Sequence, residues 1–143
     1  MFTRRFFAVA LIAAVGAGLG TVHARAADKK FQFEIYPDAK DEFRWRLRDG
    51  DGGIVATSGD GYKRKADCKK MVENIKADIG KYTFEVYEDA KKEYRFRLKA
   101  NNGNIIAASS RSQKTKADAD KLTETISKEV KNADVKEVEK ADK

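Results

Sequence analysis

One histidine, one cysteine, one proline and one tryptophan occur among the 143 residues of this chain, and each scarcity closes off a class of function. The histidine, His23, falls in an N-terminal segment that reads as removable, so the mature chain is left without imidazole, the commonest acid-base and metal-binding group. Ser-His-Asp and Cys-His sets therefore have no members to draw on. A single cysteine excludes a disulfide within the chain. Cys68 recurs at helical intervals with Val72, Ile75 and Ile79, which reads as a small buried filler rather than a nucleophile. No phosphate-binding glycine loop and no metal-ligand spacing is found. An enzyme is the least supported class, with only a carboxylate pair left to serve one, and no cofactor or metal is expected.

The N-terminal stretch 1–26 has the layout of a secretory signal. Arg4 and Arg5 precede an apolar run, Phe6 to Leu19, and Ala24-Arg25-Ala26 ends in the small-x-small pattern of a cleavage site. The apolar run is 14 residues long, short of the roughly 20 that span a membrane. An uncleaved anchor is the alternative. Thr3-Arg4-Arg5-Phe6-Phe7 also fits the start of a twin-arginine signal, so the expectation is export by the Sec or the twin-arginine route to the periplasm or beyond. Cleavage leaves 27–143, the size of one modest domain. Because the leader holds three arginines and no acid, the formal charge falls from +7 to +4. That mild excess permits a polyanionic partner without requiring one.

What the mature chain has in place of rare residues is repetition. Phe31 to Ile79 returns as Tyr82 to Val130 without a gap, 51 residues on. Glu42-Phe43-Arg44-Trp45-Arg46-Leu47 and Glu93-Tyr94-Arg95-Phe96-Arg97-Leu98 alternate apolar with polar or cationic residues, which predicts strands with one dry and one wet face. Phe31 to Tyr36 alternates likewise and leads through the turn Pro37-Asp38-Ala39-Lys40-Asp41. Asp49 to Gly53 and Ala100 to Asn104 are the next turns, Asn102-Gly103 suiting positive backbone dihedrals. A third strand comes next at Ile54 to Ser58 and Ile105 to Ser109.

The period then changes to helical, with Cys68, Val72, Ile75 and Ile79 in one copy and Ala119, Leu122, Ile126 and Val130 in the other. Thr115 and Asp118 resemble a capping box that the first copy loses at Arg64, and Gly80 reads as the stop of the first helix. A lone copy of 49 residues would be marginally stable, because small units bury too little surface. The expected fold is α+β: two tandem β-β-β-α units, 31–79 and 82–130, share one continuous core or one sheet across an approximate two-fold axis, each helix covering the apolar side of its own strands. The tail 131–143 offers a weak extra strand.

Glu-x-Arg-aromatic-Arg-Leu, then Gly, then an Ile/Val pair with Ala and Ser, then Lys-x-Lys-Ala-Asp opening a helix, resembles the YegP-like family, bacterial domains of unknown function. Glu42, Arg44, Trp45, Arg46, Leu47, Gly52, Ile54, Lys63 and Lys65 carry the likeness in the first copy, and Glu93, Arg95, Phe96, Arg97, Leu98, Gly103, Ile105, Lys114 and Lys116 in the second. The resemblance implies β-β-β-α-β units, as tandem repeats or as a homodimer, joined in a single antiparallel sheet with the two helices on one face and exchanged C-terminal strands, and it brings no catalytic residues. Here only Gly80 and Lys81 separate the first helix from the second copy. Unless Tyr82 to Glu88 serves twice, Val135 to Val138 must supply the extra strand.

Two surfaces are candidates for function. The wet sheet face gathers Arg44, Arg46, Arg48, Arg95, Arg97 and Lys99 beside Tyr36 and Tyr87, a mixture that suits a polyanion. Glu34 and Glu85 share that face, and cross-strand pairing with them would leave it a solvated exterior. The helix starts carry Lys63 and Lys65, and Lys114 and Lys116, where free N–H groups could cradle a small anion; the alternative is lysines in water with Asp67 and Asp118 offsetting the dipole. Asp49-Gly50-Asp51-Gly52 lacks the remaining spacing of a calcium loop and reads as a turn. The leading reading is an exported, non-enzymatic structural or interaction module whose partner is open between an envelope protein and an anionic polymer; the runner-up is an envelope protein that binds a polyanion or a small anion.

Overall fold

Alternation in the sequence becomes strand in the computed structural model, which describes residues 30–139; the secretory signal expected at 1–26 lies outside the described residues. In chain order the elements are β1 (Gln32–Pro37), β2 (Phe43–Arg48), β3 (Ile54–Ser58), α1 (Lys65–Ala77), a 3-10 turn (Ile79–Lys81), β4 (Thr83–Glu88), β5 (Tyr94–Lys99), β6 (Ile105–Ser109), α2 (Lys116–Glu129), a 3-10 turn (Val130–Asn132) and β7 (Asp134–Glu137). They form one seven-stranded sheet in the order β4-β5-β6-β3-β2-β1-β7. The two copies meet at the centre, where β3 and β6 run antiparallel with Ala56 beside Ser109 and Thr57 beside Ala108. The extra strand expected near Val135–Val138 is β7, and it joins β1 in parallel rather than continuing the antiparallel pattern.

Both helices cover the same face, α1 over β1 and β2 and α2 over β4 and β5. Phe33, Trp45 and Leu47 are buried there, as are Phe96 and Leu98. Phe33 meets Trp45 edge-on at 5.5 Å between ring centres, and Phe84 meets Phe96 at 5.6 Å. The core is continuous across the seam: a cavity of about 10 Å³ is lined jointly by Phe33, Trp45 and Leu47 and by Phe84, Phe96 and Leu98. A gap that size has room for about one water, and its apolar lining keeps it dry. Buried residues of both halves thus belong to one cluster.

Local chemistry fixes the corners. In both hairpins a bulge after Leu47 and after Leu98 is followed by one glycine at positive φ, Gly52 at 87° and Gly103 at 85°; the turn expected to need two positive dihedrals at Asn102-Gly103 needs one. The first turn of each copy is closed by an aspartate. The Asp38 carboxylate accepts from the Lys40 and Glu42 N–H groups, and Asp89 does the same for Lys91 and Glu93.

The helix ends depart from the sequence reading in one place. Thr115 Oγ1 accepts from the Asp118 N–H at 3.1 Å, while Arg64 makes no side-chain cap, as expected. Gly80, however, does not stop α1. That helix ends at Ala77 with Asp78 as its cap, and Gly80 sits inside the adjoining 3-10 turn, because the chain turns at once into β4 and needs no left-handed residue there. In α2 the buried stripe includes Thr123, with Leu122 half-buried beside it. Thr123 occupies the place of Val72, and its hydroxyl is satisfied by the Asp120 carbonyl at 2.8 Å.

Candidate functional site

Every second residue of β2 and β5 points away from the helices, so the arginines line up on the open face of the sheet. The register sets Glu85, Arg97, Ala108, Thr57, Arg46 and Glu34 in one row across the six strands of the two copies. The row is nearly symmetric about the seam, with small residues in the middle, a cation on either side and an acid beyond each cation. The face therefore carries its own counterions.

The pairing is specific. Glu34 receives the Nε groups of both Arg46 and Arg48, the latter at 2.9 Å. Burial works to raise the Glu34 carboxyl, and the hydrogen bonds from the two arginines outweigh it and hold the group below its ordinary range. Arg44 Nε donates to Asp38 at 2.8 Å and Arg95 Nε to Asp89 at 2.9 Å. The Arg44 hydrogen bond depresses the Asp38 carboxyl, and for Asp89 the Glu93 N–H does so first, with Arg95 adding to it. Lys99 pairs with Glu85, whose carboxyl is likewise lowered. Arg97 differs: its guanidinium lies 4.1 Å from the centre of the Tyr87 ring, and its Nε makes no hydrogen bond. Its counterpart Arg46 stacks on Tyr36 at 4.6 Å.

The helix starts are arranged differently in the two copies. Lys65 Nζ lies 3.3 Å from Glu137 and so ties α1 to β7, whereas Lys116 Nζ reaches Asp120 on its own helix at 2.8 Å. Lys63 and Lys114 are exposed. Of the four lysines singled out from the sequence, two already hold carboxylates. Asp49, the first residue of the calcium-like turn, accepts from the Asp51 and Gly53 N–H groups and from Arg111 at 2.6 Å, so its oxygens are spoken for by the turn and by the other copy. Among the described residues no group of three or more His, Cys, Asp or Glu side chains could hold a metal ion. Cys68 is fully buried, and burial pushes its thiol up to about 11, which removes the thiolate that nucleophilic chemistry needs.

The sequence reading did not single out Asp38, Asp89, Arg111 or Glu137 as partners. A signal existed for the first two, since each precedes its arginine by six residues in both copies. Arg111 and Glu137 have no counterpart in the other copy that would have drawn attention to them.

Comparison with known proteins agrees with the duplicated architecture. The family described as "Domain of unknown function (DUF1508)" matches twice, over residues 38–81 and 89–137. The "UPF0339 protein in ptx operon 5'region" of Stutzerimonas stutzeri is 34% identical over 107 residues, covering 74% of this chain and 95% of that one. A UPF0339 protein of Neisseria meningitidis is 47% identical over 45 residues, 32% of this chain and 79% of its own, about the length of one copy. Among solved structures, the E. coli protein of unknown function yegP is similar at a TM-score of 0.64 and 22% identity, covering 79% of this chain and 97% of that one. The UPF0339 protein SO3888 of Shewanella oneidensis gives 0.63 at 23% identity, covering 77% and 92%. At those identities the structural likeness speaks for the fold.

Proposed function

Because this chain belongs to the bacterial family defined by the domain of unknown function DUF1508, whose match takes in both copies, we propose from its surfaces that it is a non-enzymatic interaction module with a protein partner. The observation that carries this reading is the neutralisation of the sheet face. Arg44, Arg46, Arg48, Arg95 and Lys99 each hold a carboxylate of the same sheet or its turns. A polyanion would have to displace those partners before gaining the counterion release that drives such binding. The leader argues in addition that the module works outside the cytoplasm.

Arg97 keeps a second reading in play. It stacks on Tyr87 rather than bonding to a carboxylate, and with the exposed Lys63 and Lys114 it is what an envelope polyanion or a small anion would find. Titration with heparin or duplex DNA at about 50 mM salt separates the two readings. The module reading predicts no binding, and binding that weakens steeply with added salt overturns it in favour of the polyanion. For export, the mass of the protein recovered from the periplasmic or culture fraction should correspond to a chain beginning at Ala27; an intact chain from Met1 confined to the cytosol contradicts it. Turnover abolished by a single acidic substitution would overturn the non-enzymatic part.

A further inference from the structure

The strands that begin the two copies are near duplicates, Gln32-Phe33-Glu34-Ile35-Tyr36 in β1 and Thr83-Phe84-Glu85-Val86-Tyr87 in β4, but among the described residues only β1 is covered by a further strand. β7 lies along it with Val135 beside Phe33 and Lys136 beside Glu34. The Asp134 and Val138 N–H groups donate to the Phe31 and Ile35 carbonyls at 3.1 and 2.8 Å. Glu137 reaches the start of α1, with Lys65 Nζ at 3.3 Å and Lys69 Nζ at 3.9 Å.

The 51-residue repeat places counterparts of this receptor on β4. The Tyr82 and Val86 carbonyls take the positions of Phe31 and Ile35 and so point away from β5, Glu85 stands for Glu34, and Lys116 stands for Lys65. β4 is the last strand of the sheet, and no strand of the described residues lies beyond it. Phe33 and Ile35 are each 1% exposed, while Phe84 and Val86 are only half-buried. Edges that must stay unpaired are shortened, bulged or furnished with proline. β4 is neither short, bulged nor interrupted by proline, its six residues running in unbroken register with β5, and of its two charges Glu85 is held by Lys99 and Glu88 stands at the strand's end. The outer strand at the other end, β7, is short, with its Asp134, Lys136 and Glu137 exposed.

We propose that the open edge of β4 docks an extended segment of another polypeptide, added in parallel as an eighth strand. The segment has the chemistry of β7: an apolar residue beside Phe84, a basic one beside Glu85, and an acidic one next to it that reaches Lys116. This rests on the interaction-module reading and gives the partner its chemistry. Lys116 now bonds to Asp120 in an exposed pair, which is worth little and yields readily to a better-placed carboxylate.

Charge selects this occupant over a second copy. Self-pairing of β4 about a two-fold axis through Phe84, Glu85 or Val86 sets Thr83, Glu85 or Tyr87 beside Glu85, none of them a cation. The β7 of a second copy is held by its own β1 at the high effective concentration of an intramolecular contact.

The test is titration of the mature chain with a synthetic peptide of residues 131–139, monitored by amide hydrogen exchange. The expected result is saturable binding that protects the Phe84 and Val86 N–H groups and leaves those of β1 unchanged. A peptide carrying Glu137→Lys should bind about fivefold more weakly, and the chain variant Lys116→Glu should restore it. Val86→Pro in the chain removes one outward N–H at an edge where proline is tolerated; it should abolish docking while leaving the melting transition in place. Absence of protection on β4, protection gained on β1 instead, or protection of β4 that grows with the concentration of the chain alone would each overturn the proposal. Those failures concern this edge only, whereas salt-steep heparin binding overturns the module reading itself.

Discussion

Trp45 is the residue on which the facing of the whole sheet can be checked, because it is the single tryptophan of the chain and is only 2% exposed. Replacing it with alanine leaves a large cavity beneath α1 and should cost about 3 to 5 kcal/mol in a denaturant titration; a change under about 1 kcal/mol would mean that the ring packs against little. The carboxylates make a second prediction at this scale. Glu34, Asp38, Asp49, Glu85 and Asp89 all have pKa values below their ordinary ones. The unfolded chain therefore binds protons more readily than the folded one, and their contribution to stability, complete above the unfolded pKa values, is lost as pH falls through the folded ones. The denaturation midpoint should drop between about pH 5 and pH 3, and Glu34→Gln should flatten that drop. A midpoint independent of pH in this window would contradict the pairing. Inward and outward sides of β2 and β5 were legible in the sequence because alternation leaves no other assignment for Trp45 and Leu47. The partners of the arginines were less so, since Asp38 and Asp89 act from turns.

At the scale of elements, the two helix starts form a matched experiment within one chain. Thr115 caps α2 through its hydroxyl, and Arg64 in the same place caps nothing, pairing instead with Asp67 at 2.8 Å. Thr115→Ala should cost about 1 kcal/mol, while Arg64→Ala should stay within about 0.5 kcal/mol of wild type. Equal losses at the two sites, measured by thermal or denaturant unfolding, would show that the hydroxyl is not the feature that distinguishes them. The cap was readable from Thr115 and Asp118 because it is made within three residues. The end of α1 was not readable from Gly80, because the helix runs there into another element rather than into a reversal of the chain. The parallel pairing of β7 was also hidden: its short charged sequence specifies a strand but not the direction of its neighbour, which is fixed by where α2 delivers the chain.

At the scale of the molecule, the two copies make one body, but not a balanced one. They share a seam, a core and the ion pair between Arg111 and Asp49, yet the described residues supply a single supernumerary strand for two equivalent edges. The shared body was foreseeable, since a lone copy of 49 residues is marginally stable by itself. The imbalance comes from the short link, 78–82, between the end of α1 at Ala77 and the start of β4 at Thr83. It leaves one covered and one open edge among the described residues.

That the halves share one core is tested most directly by a denaturant titration of the full chain with separate reporters in each half. Trp45 fluorescence reports the first copy, and the amide signals of Phe96 and Leu98 report the second. A single coincident transition is predicted; two transitions with separate midpoints would show that each copy holds its own core.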